Sequence, residues 1–436
     1  MDQAGGRIDV GKGSFGFPVA DQRAKALGEI HARPSPLIEA PRLIVQLAFM
    51  TDGGQGVDQA VLGELARMRG LAAPQKDARH HAMTWGRGTL RWERHAEFST
   101  YAWEGPVPSR FGGPIDGHPF GDGFNPPGTL ISGVRLEIRP WTDATERAIT
   151  IFDPASLCYS LVEDDRAAAV TDFRQDKDGL TRILVLDRGL SPARAGALSQ
   201  RLMEVETYRT LAMLGLPLAQ SLSPEIRRIE DGLTEITQRM RSEARAESDA
   251  LLERISGLAA ELEANAAAGL YRFGATRAYD GIVEERLNAL KEHPVAGYES
   301  WGTFLRRRIA PAMRTCRSLE ERQINLSRKL ARATTLLRSW IDVELEKQNS
   351  ALLQSMNRRA KLQLRLQQTV EGLSVAAISY YVVGLVSYLA KALYEWGLPL
   401  RPEIATGAAV PVTVLAIWWI VRRIRRHHEE EDRAGA

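Results

Sequence analysis

Two long uncharged stretches stand out toward the C-terminal end of a chain that is otherwise polar. Residues 372–390 carry no charge, and neither do residues 404–421. A membrane-spanning helix needs about 20 mainly apolar residues, so the pattern predicts two spans. The connection 391–403 holds Gly397, Pro399 and Pro402 and must turn. Pro411 falls inside the second span, where a bilayer tolerates it. Within the first span Gly372, Ala376, Ser379, Val383 and Ser387 recur every three or four residues. That spacing predicts a helical face of small and hydroxyl groups, suited to close helix contact or, around the axis of an oligomer, to a wet pore. Gly372, Ala376, Ser379 and Ser387 are therefore the pore-facing candidates, and Val382 and Leu385 lie away from them.

The charges flanking these stretches set an expected topology. Arg358, Arg359, Lys361 and Arg365 precede the first span and would ring its mouth. Arg422, Arg423, Arg425 and Arg426 follow the second, ahead of the acidic run Glu429, Glu430, Glu431 and Asp432. Lys391 and Arg401 in the connection are balanced by Glu395 and Glu403. Positive residues stay on the cytoplasmic side, so both termini are expected in the cytoplasm.

Upstream the apolar period is helical. A helix is expected from Pro192, with Ser191 as its N-cap. Leu198, Leu202, Val205 and Ala212 form its apolar face, and Gly215 and Pro217 stop it. A second start is expected at Ser223 and Pro224, with Ile226, Ile229, Leu233, Ile236 and Met240 stepping by three and four. Leu251, Ile255, Leu258 and Leu262 resume that heptad spacing after a polar middle. Residues 264–274 (ANAAAGLYRFG) are expected as a hairpin tip, followed by a third helix over about 275–293. From Ser318 to Gly372 there is no proline or glycine, and Leu319, Leu326, Ala333 and Trp340 step by seven. One helix is predicted through to the first span, to about Lys391, on the order of 110 Å long. Its stripe must meet the preceding helices, a partner subunit or both, as a plain coiled-coil stalk or a mechanically coupled one.

The first 190 residues read differently. Residues 42–49, 89–103, 134–140 (VRLEIRP), 148–152 (AITIF) and 181–187 (TRILVLD) have the alternation or β-branched content of strands. A helix is expected at AVLGELARMRGL, residues 60–71. The segment 105–128 is rich in glycine and proline and predicts a long irregular loop. A mixed α+β or α/β domain ending near Asp187 results.

Composition narrows the function classes. The formal net charge of +3 with 25% charged residues indicates an ordinary surface and no nucleic-acid partner. Cys158 and Cys316 give neither a disulfide framework nor a zinc signature, and a reducing cytoplasm is the simpler setting. The N-terminus has no apolar core of a secretory signal. Gly11, Gly13 and Gly16 in GKGSFG have phosphate-loop spacing, but no strand-like run precedes them and no partner kinase tripeptide occurs. Glu93, His95 and Glu97 would share one strand face and could hold a divalent metal, although a solvated row is the commoner outcome. His80 and His81 would face opposite ways. Residues 29–34 (EIHARP) form a distinctive turn without assignable chemistry. No nucleophile motif is present, so neither an enzyme nor a cofactor is expected.

The stretches EIHARPSPLIEAPR, WERHAEFSTYAW, YRFGATRAYDGIVEERL and SMNRRAKLQLRLQQTVEGLSVAAISYYVVGLVSYLAKA closely resemble a proteobacterial family described as an uncharacterised membrane-anchored protein. That resemblance implies a bacterial inner-membrane location and no activity. The architecture also resembles the CorA family of homopentameric divalent-cation channels, which implies a pentamer and a divalent cation as solute. Asn357 matches an asparagine of that family's stalk end. The family's Gly-Met-Asn motif is absent, and the corresponding region reads VSYLAKALYEW, so no selectivity residue carries over. The expected division is a mixed domain over 1–190, a helical stalk over 191–371, a two-span hairpin over 372–421 and a basic then acidic tail over 422–436. Two functions follow: an oligomeric cation channel or transporter on a CorA-like scaffold, or a non-transporting membrane-anchored scaffold or sensor.

Overall fold

A computed structural model describes residues 22–23, 27, 35–51, 55–75, 78–242, 248–395, 397 and 401–434, with side chains as far as Arg423. The GKGSFG stretch and residues 29–34 lie outside the described residues. The chain forms two compact units. The first, here the sheet unit, comprises 1–242 and 249–334; the second, the hairpin unit, comprises 243–248 and 335–436.

In chain order the elements are β1 (Arg42–Met50), α1 (Gln55–Met68), β2 (His80–Trp85), β3 (Gly88–Arg94), β4 (Phe98–Gly105), β5 (Thr129–Pro140) and the short α2 (Asp143–Glu146). A 3₁₀ turn (Arg147–Ile151), β6 (Cys158–Val162), β7 (Ala167–Gln175) and β8 (Thr181–Asp187) follow. The remainder is α3 (Pro192–Met213), α4 (Gly215–Ser242), α5 (Ser248–Leu290), β9 (His293–Pro294), α6 (Trp301–Glu395) and α7 (Pro402–Ala434). The fold is mixed α+β.

Among the described residues the strands form a nine-stranded sheet in the order β2-β3-β4-β1-β5-β8-β7-β6-β9. Neighbours are antiparallel except β5 and β8, which run parallel with Val134 opposite Thr181. One face packs on α3, α5 and the start of α6 through Leu136, Ile138, Val185, Leu202, Leu287 and Trp301. The other is covered by α1 and by the glycine- and proline-rich segment after β4. Val107, Ile115, Phe120 and Phe124 of that segment pack against the cluster holding Trp92, Tyr101 and Trp103. Gly128 ends it: a Cβ there would lie 1.8 Å from the Met50 carbonyl oxygen. Only glycine allows so close a return.

β5 shows why that segment is fixed. Its even positions Val134, Leu136 and Ile138 are apolar and buried, while Arg135, Glu137 and Arg139 alternate with them on the other face. Glu137 is 0% exposed. Its Oε1 accepts from Arg135 Nε at 2.9 Å and from the Gly112 amide at 3.1 Å, and its Oε2 accepts from Arg139 Nε at 2.8 Å. Arg139 Nη2 also donates to the Pro108 carbonyl at 2.6 Å. The loop thus supplies the backbone partners that a buried charge row requires. A second buried carboxyl, Asp58 of α1, accepts from the Ser99 hydroxyl at 2.7 Å and from Tyr101 at 3.4 Å. Burial raises its pKa above the ordinary aspartate range.

Five sequence expectations are corrected. Residues 89–103 form two strands, because 95–97 turn to make a hairpin. Residues 148–152 lie mostly in a 3₁₀ turn that continues from α2, where the Thr142–Thr145 capping box starts a helical turn. α4 runs through Pro224 from Gly215; a proline removes only one helical hydrogen bond, and buried Leu222, Ile226 and Ile229 hold both sides of it. Residues 264–274 are the middle of α5, where the alanine run favours helix. The long helix predicted from Ser318 starts earlier, at Trp301, and runs unbroken to Glu395.

In the hairpin unit, α6 and α7 each contain a segment long and apolar enough to cross a membrane. Val421 lies beside Gln363, Gln367 and Ser374, so the two helices run antiparallel.

Candidate functional site

Toward β3 the helix-covered face of the sheet turns from apolar to polar. Arg91, Glu93, Thr100 and Gln46 occupy it, and α3 brings Gln200, Glu204, Thr207 and Tyr208 across them. Together with Pro36, His95 and Phe98 they line a cavity of about 60 Å³, room for about two waters. The wall is cross-linked. Gln46 Nε2 donates to Thr207 Oγ1 at 3.2 Å, and Gln200 Nε2 donates to Glu204 Oε1 at 2.9 Å. Arg91 pairs with Glu104 at 2.9 Å, and Glu204 pairs with Arg286 of α5. Ser35 Oγ donates to Gln200 Oε1 at 2.9 Å. The segment that delivers Pro36 crosses α3 at Gly196, where a Cβ would lie 1.6 Å from the Pro36 carbonyl oxygen.

His95 sits in the β3–β4 turn. Its ring stacks on Phe98 with centroids 4.2 Å apart and meets Tyr208 edge-on at 6.4 Å. Tyr208 in turn packs on Tyr279 of α5 at 5.5 Å. Two residues on, Glu97 takes a bidentate pair from Arg272, at 3.1 and 2.8 Å. Burial, then the hydrogen bond and charge of Glu97, push the Tyr279 phenol well above its ordinary range. The His95 imidazole is thus held against two aromatic rings at the edge of the polar cavity.

This corrects the metal reading. Glu93 lies on β3, but His95 and Glu97 lie in the turn, and Glu97 is engaged by Arg272. No group of three or more histidine, cysteine or carboxylate side chains able to hold a metal occurs among the described residues. His80 and His81 lie on β2, paired opposite Glu93 and Trp92. Both cysteines are free and buried; burial, then the Glu299 charge, push the Cys158 thiol up to about 12, which leaves it unreactive. Sequence reasoning missed Glu204, Tyr208, Arg272 and Tyr279. The available signal was that 92–103 and 271–287 both carry the family resemblance, and these two stretches meet here.

In the hairpin unit the sequence-derived pore residues are not brought together. Ser379 is buried, and its hydroxyl lacks a hydrogen-bond partner. Ser387 is half-buried, whereas Gly372 and Ala376 are exposed. The less exposed row of α6 is Val375, Ser379, Val382, Val383, Val386 and Ala390; that of α7 is Ala405, Ala409, Thr413, Ile417 and Val421. The less exposed rows of the helix pair thus mix small and β-branched residues. Val382, expected away from the small face, belongs to this row. Arg358, Arg359, Lys361 and Arg365 are all exposed.

No curated protein matches the chain, and no solved structure does. A family model described as a protein of unknown function, DUF3422, matches residues 19–428. The match takes in the sheet, the polar cavity and both apolar helices, and the chain belongs to the DUF3422 family.

Proposed function

We propose that this chain is a non-transporting, membrane-anchored scaffold or sensor. Its C-terminal helix pair holds the sheet unit at the inner face of a bacterial inner membrane, with both termini cytoplasmic. One observation carries the reading: Ser379, the most buried hydroxyl of the first apolar segment, is packed inward, while large apolar side chains face outward. Leu373, Tyr380, Tyr381, Leu385 and Leu389 are 61–78% exposed, a surface suited to lipid. Arg358, Arg359, Lys361 and Arg365 then contact anionic head groups, each contributing about 1 kcal/mol.

Self-association belongs to the same reading. Leu345, Leu352, Leu353, Met356, Leu366 and Val370 are all more than half exposed along α6. A second copy presents the same stripe, so the contact is self-complementary, as a coiled coil requires. The homopentamer and the divalent-cation path rest on the CorA resemblance. The specific support for that second reading is the continuity of α6, one helix from the sheet unit into the first apolar segment.

Flux in proteoliposomes tests the choice. The anchor reading expects the protein to float with the vesicles without raising magnesium, zinc, sodium or chloride flux above protein-free vesicles. Saturable flux of any one of them would overturn it. Native mass spectrometry in detergent is expected to give oligomers, and only monomer would remove the self-association.

A further inference from the structure

A larger cleft lies elsewhere in the sheet unit, between α4 and α6, with a volume of about 900 Å³. It is far roomier than the cavity at His95 and falls within the range of small-molecule sites, roughly 300–1,000 Å³. Each wall is one helical face. Arg227, Arg228 and Asp231 follow Pro224 on α4, and Arg314, Ser318 and Arg322 follow Pro311 on α6. Four guanidinium groups therefore face one carboxylate.

The four arginines are not equivalent. Arg228 Nη2 is engaged by Glu261 at 2.7 Å, and Arg322 Nη2 by Glu230 at 2.8 Å. The Arg322–Glu230 pair ties the two walls together at one end of the cleft. Arg227 and Arg314, one from each wall, have no ion pair among the described residues. A guanidinium presents a planar fork of donors matched to phosphate oxygens, and here one such side chain comes from each wall. The hydroxyls of Ser223 and Ser318 also line the cleft.

The remaining lining is of another kind. Pro224, Pro311 and Leu319 give the cleft apolar surface. The cleft thus combines paired anion donors with apolar surface.

We propose that the α4–α6 cleft binds a phosphate-bearing small molecule of nucleotide size. The phosphates lie between Arg227 and Arg314, and the planar apolar part rests on Pro224, Pro311 and Leu319. The assignment stands independently of whether the helix pair anchors or conducts. Because α6 forms one wall and continues into the first apolar segment, a bound ligand would bear on the helix that enters the membrane.

The test uses the full-length chain in detergent and a fluorescent ATP analogue followed by anisotropy. Saturable binding is expected, displaced by ATP, less strongly by inorganic tripolyphosphate and not by adenosine. Arg227→Gln and Arg314→Gln should each weaken binding about tenfold, the loss of one charge-assisted contact. Ser318→Trp, which fills the cleft, should abolish it, and Arg338→Gln outside the cleft should leave it unchanged. Circular dichroism matching the parent chain establishes that the variants are folded. Absence of saturable binding would overturn the proposal, as would parent-like affinity in both arginine variants. Displacement by glycerophosphate but not ATP would assign the arginines to a lipid head group and overturn it too.

Discussion

The two ends of α6 have the same kind of sequence and opposite fates. From Trp301 to Leu337 an apolar side chain is buried at nearly every turn, among them Trp301, Leu305, Ile309, Leu319, Leu326, Leu330 and Leu337. Beyond that point the apolar residues continue, but Trp340, Leu345, Leu352, Met356 and Leu366 are 40–67% exposed. The helix itself does not change. What changes is burial: the first part packs within the sheet unit, against α3, α4, α5 and the sheet, whereas the apolar side chains of the second part stand exposed. Helical periodicity therefore reports that a face needs covering, while only the fold tells whether the cover comes from the same chain. For residues beyond 340 the proposed cover is a second copy, and for the first apolar segment it is lipid.

The largest expected effect tests that contrast directly. Trp301 is fully buried, and its indole N–H donates to the Ala169 carbonyl at 3.1 Å. Trp301→Ala should cost about 3–5 kcal/mol of fold stability, seen as a lowered unfolding midpoint by circular dichroism. Trp340→Ala should leave that midpoint within about 0.5 kcal/mol of the parent while weakening self-association. Equal destabilisation by the two changes would break the comparison.

A comparable or somewhat smaller loss is expected at the charge row of β5. Glu137→Gln leaves Arg135 and Arg139 without their shared carboxylate, at a cost of about 3 kcal/mol. The segment 105–128, tied through Gly112 and Pro108, should become accessible to protease. Continued resistance in the variant would show that its aromatic side chains alone hold it to the sheet.

The smallest effect is one of pH. Burial raises the Asp58 carboxyl above its unfolded value. The folded state then binds the proton more tightly, so this contribution is fully present below the ordinary aspartate range. It is lost as pH rises through the raised value. Asp58→Asn should flatten that part of the stability profile, measured as unfolding midpoints from acid to neutral pH. A slope unchanged by the substitution would assign it to other carboxyls.

Sequence reading reached some elements and missed others for definite reasons. β1, β5, β8, α1 and the face of α3 were legible because each carries an unbroken local period. The β3–β4 hairpin was not, since its turn at His95, Ala96 and Glu97 contains neither glycine nor proline. β6 has only five residues, and Ala167, Ala168 and Ala169 in β7 carry little strand preference. The cavity at His95 draws on β3, β4 and α3, and its aromatic and charged neighbours come from α5. No local window holds these together, so its chemistry could not be read before the fold. The helix pair shows the converse: its spacing predicted a small-residue face, but not that Ser379 would be buried while Gly372 and Ala376 stay exposed.

The sheet ends, on the β6 side, in a strand of two residues, His293 and Pro294, paired with Leu161 and Ser160. A ladder invites another strand when its outer groups can donate and accept along several residues. Proline cannot donate, and two residues offer almost no register. That border is therefore a poor template for intermolecular strand addition, and chains at high local concentration can crowd together there without zipping into aggregates.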